Sequence, residues 1–300
     1  VVPDDLHSMW AERFDAATRG LAAGVARAVE IAAALGVEFE RGLWARATGL
    51  GEQEMAAVTE ALLEGCLVVP VDERLRFVHG MARDSVEQAA RAAGRWAAAH
   101  TDCAAALHGS TVPADVERRG LHLLASGAPA AAIDDLLAAV KWRRASGEPR
   151  EALRAADALV VAHEQTGTEE ANEGLLAARL DRLELVRNLR RDRPEDAEAL
   201  DALLQSAQEA GHLRVAALVR CEIGRRLRDR GDLDGALPSL REAFAGAEEV
   251  DDDVAVLGAG LALGWAMAMA GDHKDARRIF RRSAAAGGRS GDLLGMARAY

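Results

Sequence analysis

The residue types that carry enzymatic chemistry are present in this chain, but their spacing matches no catalytic or metal-binding motif. The eight histidines are scattered, with no H-E-x-x-H pair and no Cys/His spacing suited to zinc. Ser8, Ser85 and Ser110 lack the G-x-S-x-G context of an activated nucleophile. The G-x4-G-K-[ST] loop that holds nucleotide phosphates and the kinase H-R-D and D-F-G motifs are also missing. We therefore expect no catalysis by this chain, and no metal or cofactor bound within it.

The charge balance disfavours two classes of partner. Acidic residues outnumber basic ones by 48 to 37, which gives a formal net charge of −11. A negative chain is repelled by nucleic acid and by anionic lipid, so we expect neither as a partner. The uncharged run from Val254 to Ala270 is too short and too rich in glycine and alanine to predict a membrane span.

The cysteines indicate a cellular compartment, and the chain ends indicate a segment of a longer protein. Cys66, Cys103 and Cys221 are far apart and form neither a disulfide framework nor a zinc site, which favours the reducing cytoplasm. The sequence opens on Val1 rather than on methionine and stops at Tyr300 inside an apolar helical pattern. We interpret it as a segment of a longer protein.

Composition predicts an all-α fold. Alanine occurs 66 times in 300 residues, while aromatic residues make up only 4%. Alanine has the highest helix propensity and buries little area, so many thin, closely packed helices are expected. A β-sandwich or barrel would need more β-branched and aromatic side chains.

The first part of the chain predicts three helices and a hairpin. Apolar periodicity indicates helices at 21–35, 38–49 and 52–66. The period then changes to two in LVVPV (67–71) and LRFVH (75–79), which are separated by a polar DER turn and predict a β-hairpin.

Three helices followed by a hairpin is the order of a winged helix. We predict a linker or leading helix at 1–20, a winged-helix domain with one small hairpin at 21–82, a connecting helix at 83–112 and helical repeats at 113–300. In such a domain the third helix would have to approach phosphates, but this one carries Glu52, Glu54, Glu60 and Glu64 and no lysine or arginine. The sequence therefore argues against DNA reading by this helix and favours a packing role.

The second part of the chain is a repeat array. The pattern Gly224-x6-Gly231-x4-Ala236-x3-Leu240-x2-Ala243 recurs 40 residues later, starting at Gly264, and an earlier copy starts at Gly120. The first glycine of each copy would allow a second helix to approach closely, and the second would occupy the turn between the two helices. Copies between 147 and 210 are degenerate, and there Pro194 is predicted to start a helix. We count about four helix pairs and the opening of another at 291–300.

This pattern resembles the tetratricopeptide repeat (TPR), which implies a right-handed superhelix of helical hairpins with a concave face. By the spacing of that family, the first helices would present Arg225, Arg228 and Trp265 on the concave face, where a cation pair beside an aromatic ring suits an acidic or extended peptide. The alternative interpretation is that the arginines form a solvated helix face and that Trp265 belongs to the core.

The winged helix next to such repeats resembles the segment that follows the nucleotide-binding core of STAND-type signalling ATPases, most closely those fused to bacterial Ser/Thr protein kinases. The stretches VPDDLHSMWAERFD and RFVHGMARDSVE carry this resemblance. It implies that His79 contacts the phosphate of ADP bound by an upstream nucleotide-binding domain, so ADP or ATP would belong to the parent protein. The alternative for His79 is a histidine satisfied by local hydrogen bonds.

Taken together, these features predict a non-catalytic segment for protein interaction and signal relay. The repeats would bind a protein or peptide on their concave face, and the winged helix would couple that binding to the nucleotide state of the domain upstream in the same chain. Two alternatives stay open: a winged-helix transcription regulator with a TPR sensor arm, and an enzyme with an unrecognised site in the repeats.

Overall fold

The computed structural model describes residues 4–20, 24–167, 172–190 and 193–291, and in these ranges it contains fifteen helices and three short strands. The chain divides into two compact units, 1–147 and 148–300. The predicted all-α class is confirmed, with a helical-repeat arrangement in the second unit and one small sheet in the first.

The first unit contains eight helices and all three strands. In chain order its elements are α1 (Asp4–Thr18), α2 (Val25–Leu35), β1 (Glu38–Glu40), α3 (Arg41–Thr48), α4 (Glu52–Glu64), β2 (Val68–Val71), β3 (Arg74–Phe77), α5 (Gly80–Ala92), α6 (Trp96–Ala106), α7 (Pro113–Ala125) and α8 (Pro129–Ala145). The three helices and the hairpin on which the winged-helix prediction rested are therefore present in the predicted order.

The sheet has one strand more than predicted. Strand β3 pairs antiparallel with β2, as the hairpin required, and also with β1, giving the order β1-β3-β2. Residues 38–40 were predicted to begin a helix, and that prediction was wrong. Gly36, at φ +127°, ends helix α2, and Phe39 is buried between two glutamates, which is the period of a strand. Pro70 lies in the edge strand β2, the one place where its missing N–H is tolerated.

Aromatic rings hold the sheet against the helices of the first unit. The ring of Phe39 in β1 packs edge-on to Trp44 in α3, with centroids 5.3 Å apart, and lies 5.6 Å from the ring of Phe77 in β3. The indole N–H of Trp44 donates a hydrogen bond of 2.8 Å to the carbonyl oxygen of Ala28 in α2. One buried cluster thus fixes β1, β3, α2 and α3 together.

The connecting helix predicted over 83–112 is two helices. Helix α5 ends at Ala92, and Gly94, in the left-handed region at φ +70°, turns the chain before α6 begins. The turn is fixed by Arg95, whose Nη2 lies 2.6 Å from Oε1 of Glu30 in α2, and by the buried ring of Trp96. Helices α7 and α8 fall in the first compact unit, although the sequence predicted that the repeats begin at 113.

The second unit is a row of helices joined mostly by three-residue turns. Its elements are α9 (Pro149–Gln165), α10 (Glu173–Leu189), α11 (Pro194–Glu209), α12 (Leu213–Asp229), α13 (Leu233–Glu249), α14 (Asp253–Met269) and α15 (His273–Ser290). Helices α10, α12 and α14 begin 40 residues apart, at 173, 213 and 253. Each helix packs on the next, and α12 also contacts both α10 and α14, the pattern of stacked helical hairpins.

The described residues from 113 to 290 hold one helix more than the four predicted pairs. The described residues from 113 onward hold nine helices, α7 to α15, which is four pairs and one more helix. Pro194 begins α11, as predicted. The further pair predicted to open at 291–300 lies, beyond residue 291, outside the described residues.

The small residues of the repeat pattern act as predicted. Gly231 and Gly271 lie in turns at φ +84° and +88°. Gly224 lies inside α12 against the side chain of Leu240 in α13, and Gly264 lies inside α14 against the ring of Phe280 in α15. A side chain at either glycine would hold the two helices apart, so the absence of Cβ sets the distance within each pair.

Within the described residues, we find no helix that combines the length and the apolar character needed to cross a bilayer.

Candidate functional site

The three residues that the repeat spacing predicted for partner binding meet at one place. Arg225 and Arg228 of α12 and Trp265 of α14 line a concave pocket of about 460 Å³ between the two helices, together with Leu261 and Ala262. We refer to this pocket, with its five lining residues, as the α12/α14 groove.

The aromatic side of the groove is exposed. Trp265 retains 54% of its accessible surface, although its ring packs edge-on to Phe280 with centroids 5.7 Å apart. Met269, one helical turn later, retains 58%, and Leu261, one turn earlier, is half-buried. Residues four apart share a helix face, so α14 presents an apolar stripe there. The interpretation of Trp265 as a core residue was therefore wrong.

The cationic side of the groove is held in place by the protein. Arg225 donates from Nη2 to the carbonyl oxygen of Gly258 at 3.3 Å, and its Nη1 lies 4.0 Å from Oε1 of Glu184. Arg228 donates from Nη2 to Asp229 at 2.7 Å. These contacts restrain both guanidinium groups, and both side chains are less than one-third exposed, so they do not form a freely solvated helix face.

The groove is suited to binding rather than to bond-making chemistry. Its lining offers two guanidinium groups, an indole and aliphatic carbon, but no nucleophile or carboxylate. Within the described residues we find no cluster of three or more His, Cys, Asp or Glu side chains that could hold a metal ion. An apolar stripe beside cations matches an extended segment that carries both an apolar side chain and an acidic one.

His79 lies where the sequence placed it, at the start of a helix after the hairpin. It is the N-cap of α5, it is exposed, and its Nδ1 accepts a hydrogen bond of 3.4 Å from the backbone N–H of Met81. That local bond corresponds to the second of the two interpretations left open above. A phosphate contact by His79 stays a prediction.

Helix α4, the third helix of the predicted winged helix, presents a negative face. All four of its glutamates are exposed: Glu52, Glu54, Glu60 and Glu64. On the hairpin, Arg74 is offset by carboxylates of β1, with Nη1 3.3 Å from Oε1 of Glu38 and Nη2 3.5 Å from Oε1 of Glu40. This arrangement would repel a phosphodiester backbone and disfavours the transcription-regulator alternative.

Sequence reasoning missed a buried charged network between α10 and α12. Glu222 is fully buried and accepts a hydrogen bond of 3.0 Å from Nε of Arg226, which is itself only 3% exposed. Arg226 also donates to the carbonyl oxygen of Leu183 at 2.8 Å. Nε of Arg187 in α10 lies 3.2 Å from the same oxygen of Glu222, Oε1. Burial raises the pKa of Glu222, with a further contribution from Glu184.

One departure from the repeat pattern lies beside that network. The repeat pattern has glycine at 224 and 264, but the position 40 residues before Gly224 is Glu184. A glutamate there prevents the close approach that glycine allows; its side chain is half-buried, and its Oε1 lies 4.0 Å from Nη1 of Arg225.

A second group missed from the sequence is a histidine pair between α6 and α7. The Nδ1 atoms of His100 and His122 lie 2.8 Å apart, and the ring of His100 packs edge-on to Trp96. The pKa of His122 is lowered to about 3 and that of His100 to about 4, mainly by burial, with smaller contributions from His100 and Arg118 at His122 and from Arg91 at His100. Both rings are therefore neutral at physiological pH, with one donating to the other.

Comparison with known proteins gives distant structural similarity. No protein-family model matches the chain, and no curated protein does. Among solved structures, the chain is similar to the crystal structure of a Signal Transduction ATPase with Numerous Domains (STAND) protein with a tetratricopeptide repeat sensor from Pyrococcus horikoshii. The TM-score is 0.39 at 11% identity, over 100% of this chain and 55% of that one. The chain thus spans little more than half the length of the structure it matches.

Proposed function

We propose that this chain is a helical-repeat interaction segment that binds a protein partner in the α12/α14 groove. The observation that carries the proposal is the half-exposed Trp265 beside two restrained arginines, in a pocket between consecutive first helices of the repeats. The favoured ligand is an extended polypeptide segment with an apolar side chain next to an acidic one.

The energetic reason lies in the residue types. Tryptophan and arginine are the side chains most often responsible for affinity at interfaces, and truncation of such a residue costs about 2 kcal/mol or more. The indole supplies apolar area that is already ordered by Phe280. The guanidinium groups of Arg225 and Arg228 are restrained by existing contacts, so less side-chain entropy is lost when a carboxylate binds.

In the same proposal, the first unit relays partner binding to a nucleotide-binding domain upstream in a longer STAND ATPase, as the resemblance of RFVHGMARDSVE implies. The output would be a fused Ser/Thr protein kinase, and the chain itself would not be catalytic. Partner binding can shift such a switch only by the difference between the partner's affinities for the two states. ADP or ATP would be held by the parent protein, with His79 as its sensor in the first unit.

The groove can be tested without knowing the natural partner. A phage-displayed library of random peptides is selected on the intact chain, and the affinities of the enriched peptides are then measured for variants. We expect peptides that combine acidic and bulky apolar residues, and Trp265→Ala should weaken them by about 30-fold or more.

The arginines provide the second arm of that experiment. Arg225→Gln and Arg228→Gln should weaken the selected peptides and reduce the salt dependence of binding, because each removes one cation from the groove. Arg241→Gln, at an exposed position of α13, is the matched control and should leave affinity unchanged. Selected peptides that bind Trp265→Ala as tightly as the original chain would contradict the proposal.

A further inference from the structure

A larger pocket lies one repeat earlier, at the carboxyl ends of α10 and α12. Its volume is about 740 Å³, and four of its seven lining residues are arginines. The lining consists of Arg187, Asn188, Leu189, Arg190, Arg226, Asp229 and Arg230. We refer to it as the arginine pocket; it shares no residue with the α12/α14 groove.

Buried carboxylates orient these arginines from the protein side. Arg190 forms a two-pronged pair with Asp196, at 2.7 and 2.8 Å, and the Asp196 side chain is only 8% exposed. Arg187 and Arg226 both meet the fully buried carboxylate of Glu222, at 3.2 and 3.0 Å. Glu222 and Asp196 lie outside the lining of the pocket, so the ionisable groups that line it are the four arginines and one carboxylate, Asp229.

The repeat itself provides an internal comparison. Three charged residues of the α10/α12 interface are replaced, 40 residues later, by apolar residues at the α12/α14 interface: Arg187 by Leu227, Glu222 by Ala262 and Arg226 by Ala266. At the later interface these positions belong to an apolar cluster, in which Ala262 and Ala266 are buried and Leu227 packs against them.

Stacking of these repeats therefore does not require the buried network. Buried ion pairs contribute little net stability, and replacing them by apolar side chains of similar volume is often neutral or stabilising. Because the neighbouring interface has apolar residues at the equivalent positions, we attribute the charged cluster to ligand binding rather than to stability.

We propose that the arginine pocket binds a phosphoryl dianion. Guanidinium groups match phosphate oxygens through paired N–H donors, and several of them converging on one cavity select for a ligand with more than one negative charge.

The rim of the pocket favours phosphate over carboxylate. Asp229, which is 50% exposed on its side chain, already lies 3.1 Å from Nη1 of Arg187. An incoming carboxylate would only exchange one monoanion for another. A phosphoryl group brings between about 1.5 and 2 negative charges and three acceptor oxygens, so it can displace Asp229 and still gain contacts.

The proposal is tested by titrating the intact chain with inorganic phosphate at constant ionic strength, with chloride as the reference anion. We expect saturable binding by isothermal calorimetry. Arg230→Gln, at an exposed position of the pocket lining, should weaken phosphate binding about tenfold. Arg241→Gln, far along α13, should not change it.

Asp229→Asn gives a test that loss of folding cannot mimic. It removes the competing carboxylate from the rim, so phosphate should bind several-fold more tightly. Unchanged phosphate affinity in both Arg230→Gln and Asp229→Asn would overturn the proposal, as would heats that do not differ between phosphate and chloride.

A peptide arm identifies the source of the phosphoryl group. The peptide acetyl-Gly-Gly-phosphoserine-Gly-Gly-amide and its unphosphorylated parent are compared with inorganic phosphate. Tighter binding of the phosphopeptide than of free phosphate supports a phosphorylated protein ligand, and equal binding supports a free phosphate-bearing molecule. Equal binding of the phosphopeptide and its parent would overturn the proposal.

Discussion

Substituting Gly264 by alanine tests the packing rule on which the repeat array depends. A Cβ atom at this position would lie 2.5 Å from Cε1 of Phe280 and 2.7 Å from its Cδ1, where about 3.5–4.0 Å is needed. The ring or the helix must move by about 1 Å. Overpacking of this kind costs about 1–3 kcal/mol, and the better helix propensity of alanine offsets up to about 1 kcal/mol of it. We expect Gly264→Ala to lower the free energy of unfolding.

A second glycine in the same helix is the matched control. A Cβ at Gly258 would meet only Nη2 of Arg225 at 3.5 Å, an ordinary contact. Gly258→Ala should therefore stabilise the chain by up to about 1 kcal/mol. Urea unfolding followed by far-ultraviolet circular dichroism would measure both variants.

A double-mutant cycle with Phe280→Leu completes the test. Shortening the ring should relieve the overlap, so Gly264→Ala should cost less in the Phe280→Leu background than in the original chain. If the two glycine substitutions change stability equally, or if the cycle shows no coupling, close approach at glycine does not set the helix spacing and the reasoning is refuted.

Three other predictions concern the rest of the chain. The folded-state pKa of His122 is about 3, below its ordinary 6.5. The contribution of neutral His122 to the free energy of unfolding is therefore fully present above pH 6.5 and falls as the pH decreases towards 3, by up to about 1.4 kcal/mol per pH unit. His122→Gln should reduce this dependence of the free energy of unfolding on pH, as measured by urea unfolding at pH 7, 6 and 5. The same substitution at the exposed His273 should not reduce it. Asp252→Ala removes an N-cap side chain that accepts hydrogen bonds from two backbone N–H groups at 3.0 Å. Thermal unfolding should show a loss of about 1 kcal/mol of stability. The control variant Asp201→Ala should leave stability unchanged. The chain should not retard duplex DNA in a low-salt gel-shift assay; a retarded band that is lost in Arg76→Gln would restore the transcription-regulator alternative.

The sequence predicted the features that depend on local spacing. Gly224, Gly231 and Gly264 were placed correctly because an inter-helix approach and a positive-φ turn impose residue type at fixed intervals. The convergence of Arg225 and Trp265 followed from the same register, because residues 40 apart occupy equivalent positions on successive first helices.

Features that depend on distant partners were missed. Strand β1 is three residues long, and it is a strand only because Phe39 pairs opposite Leu75 in β3. The Glu222–Arg226 spacing of four residues suggests an ordinary surface pair. Its burial depends on Arg187 from another helix, which no local pattern reveals. His100 and His122 likewise come together only when α6 packs on α7.

The difference between the two successive interfaces has a consequence for how the array is assembled. Removing residues 213–252 would join the end of α11 to the start of α14 without changing the 40-residue phase. In the shortened chain, however, Glu184 and Arg187 would face Ala262 and Ala266 in place of Glu222 and Arg226. The repeats therefore share one spacing but are not interchangeable. The charges on their facing surfaces determine which repeats can be neighbours in the chain.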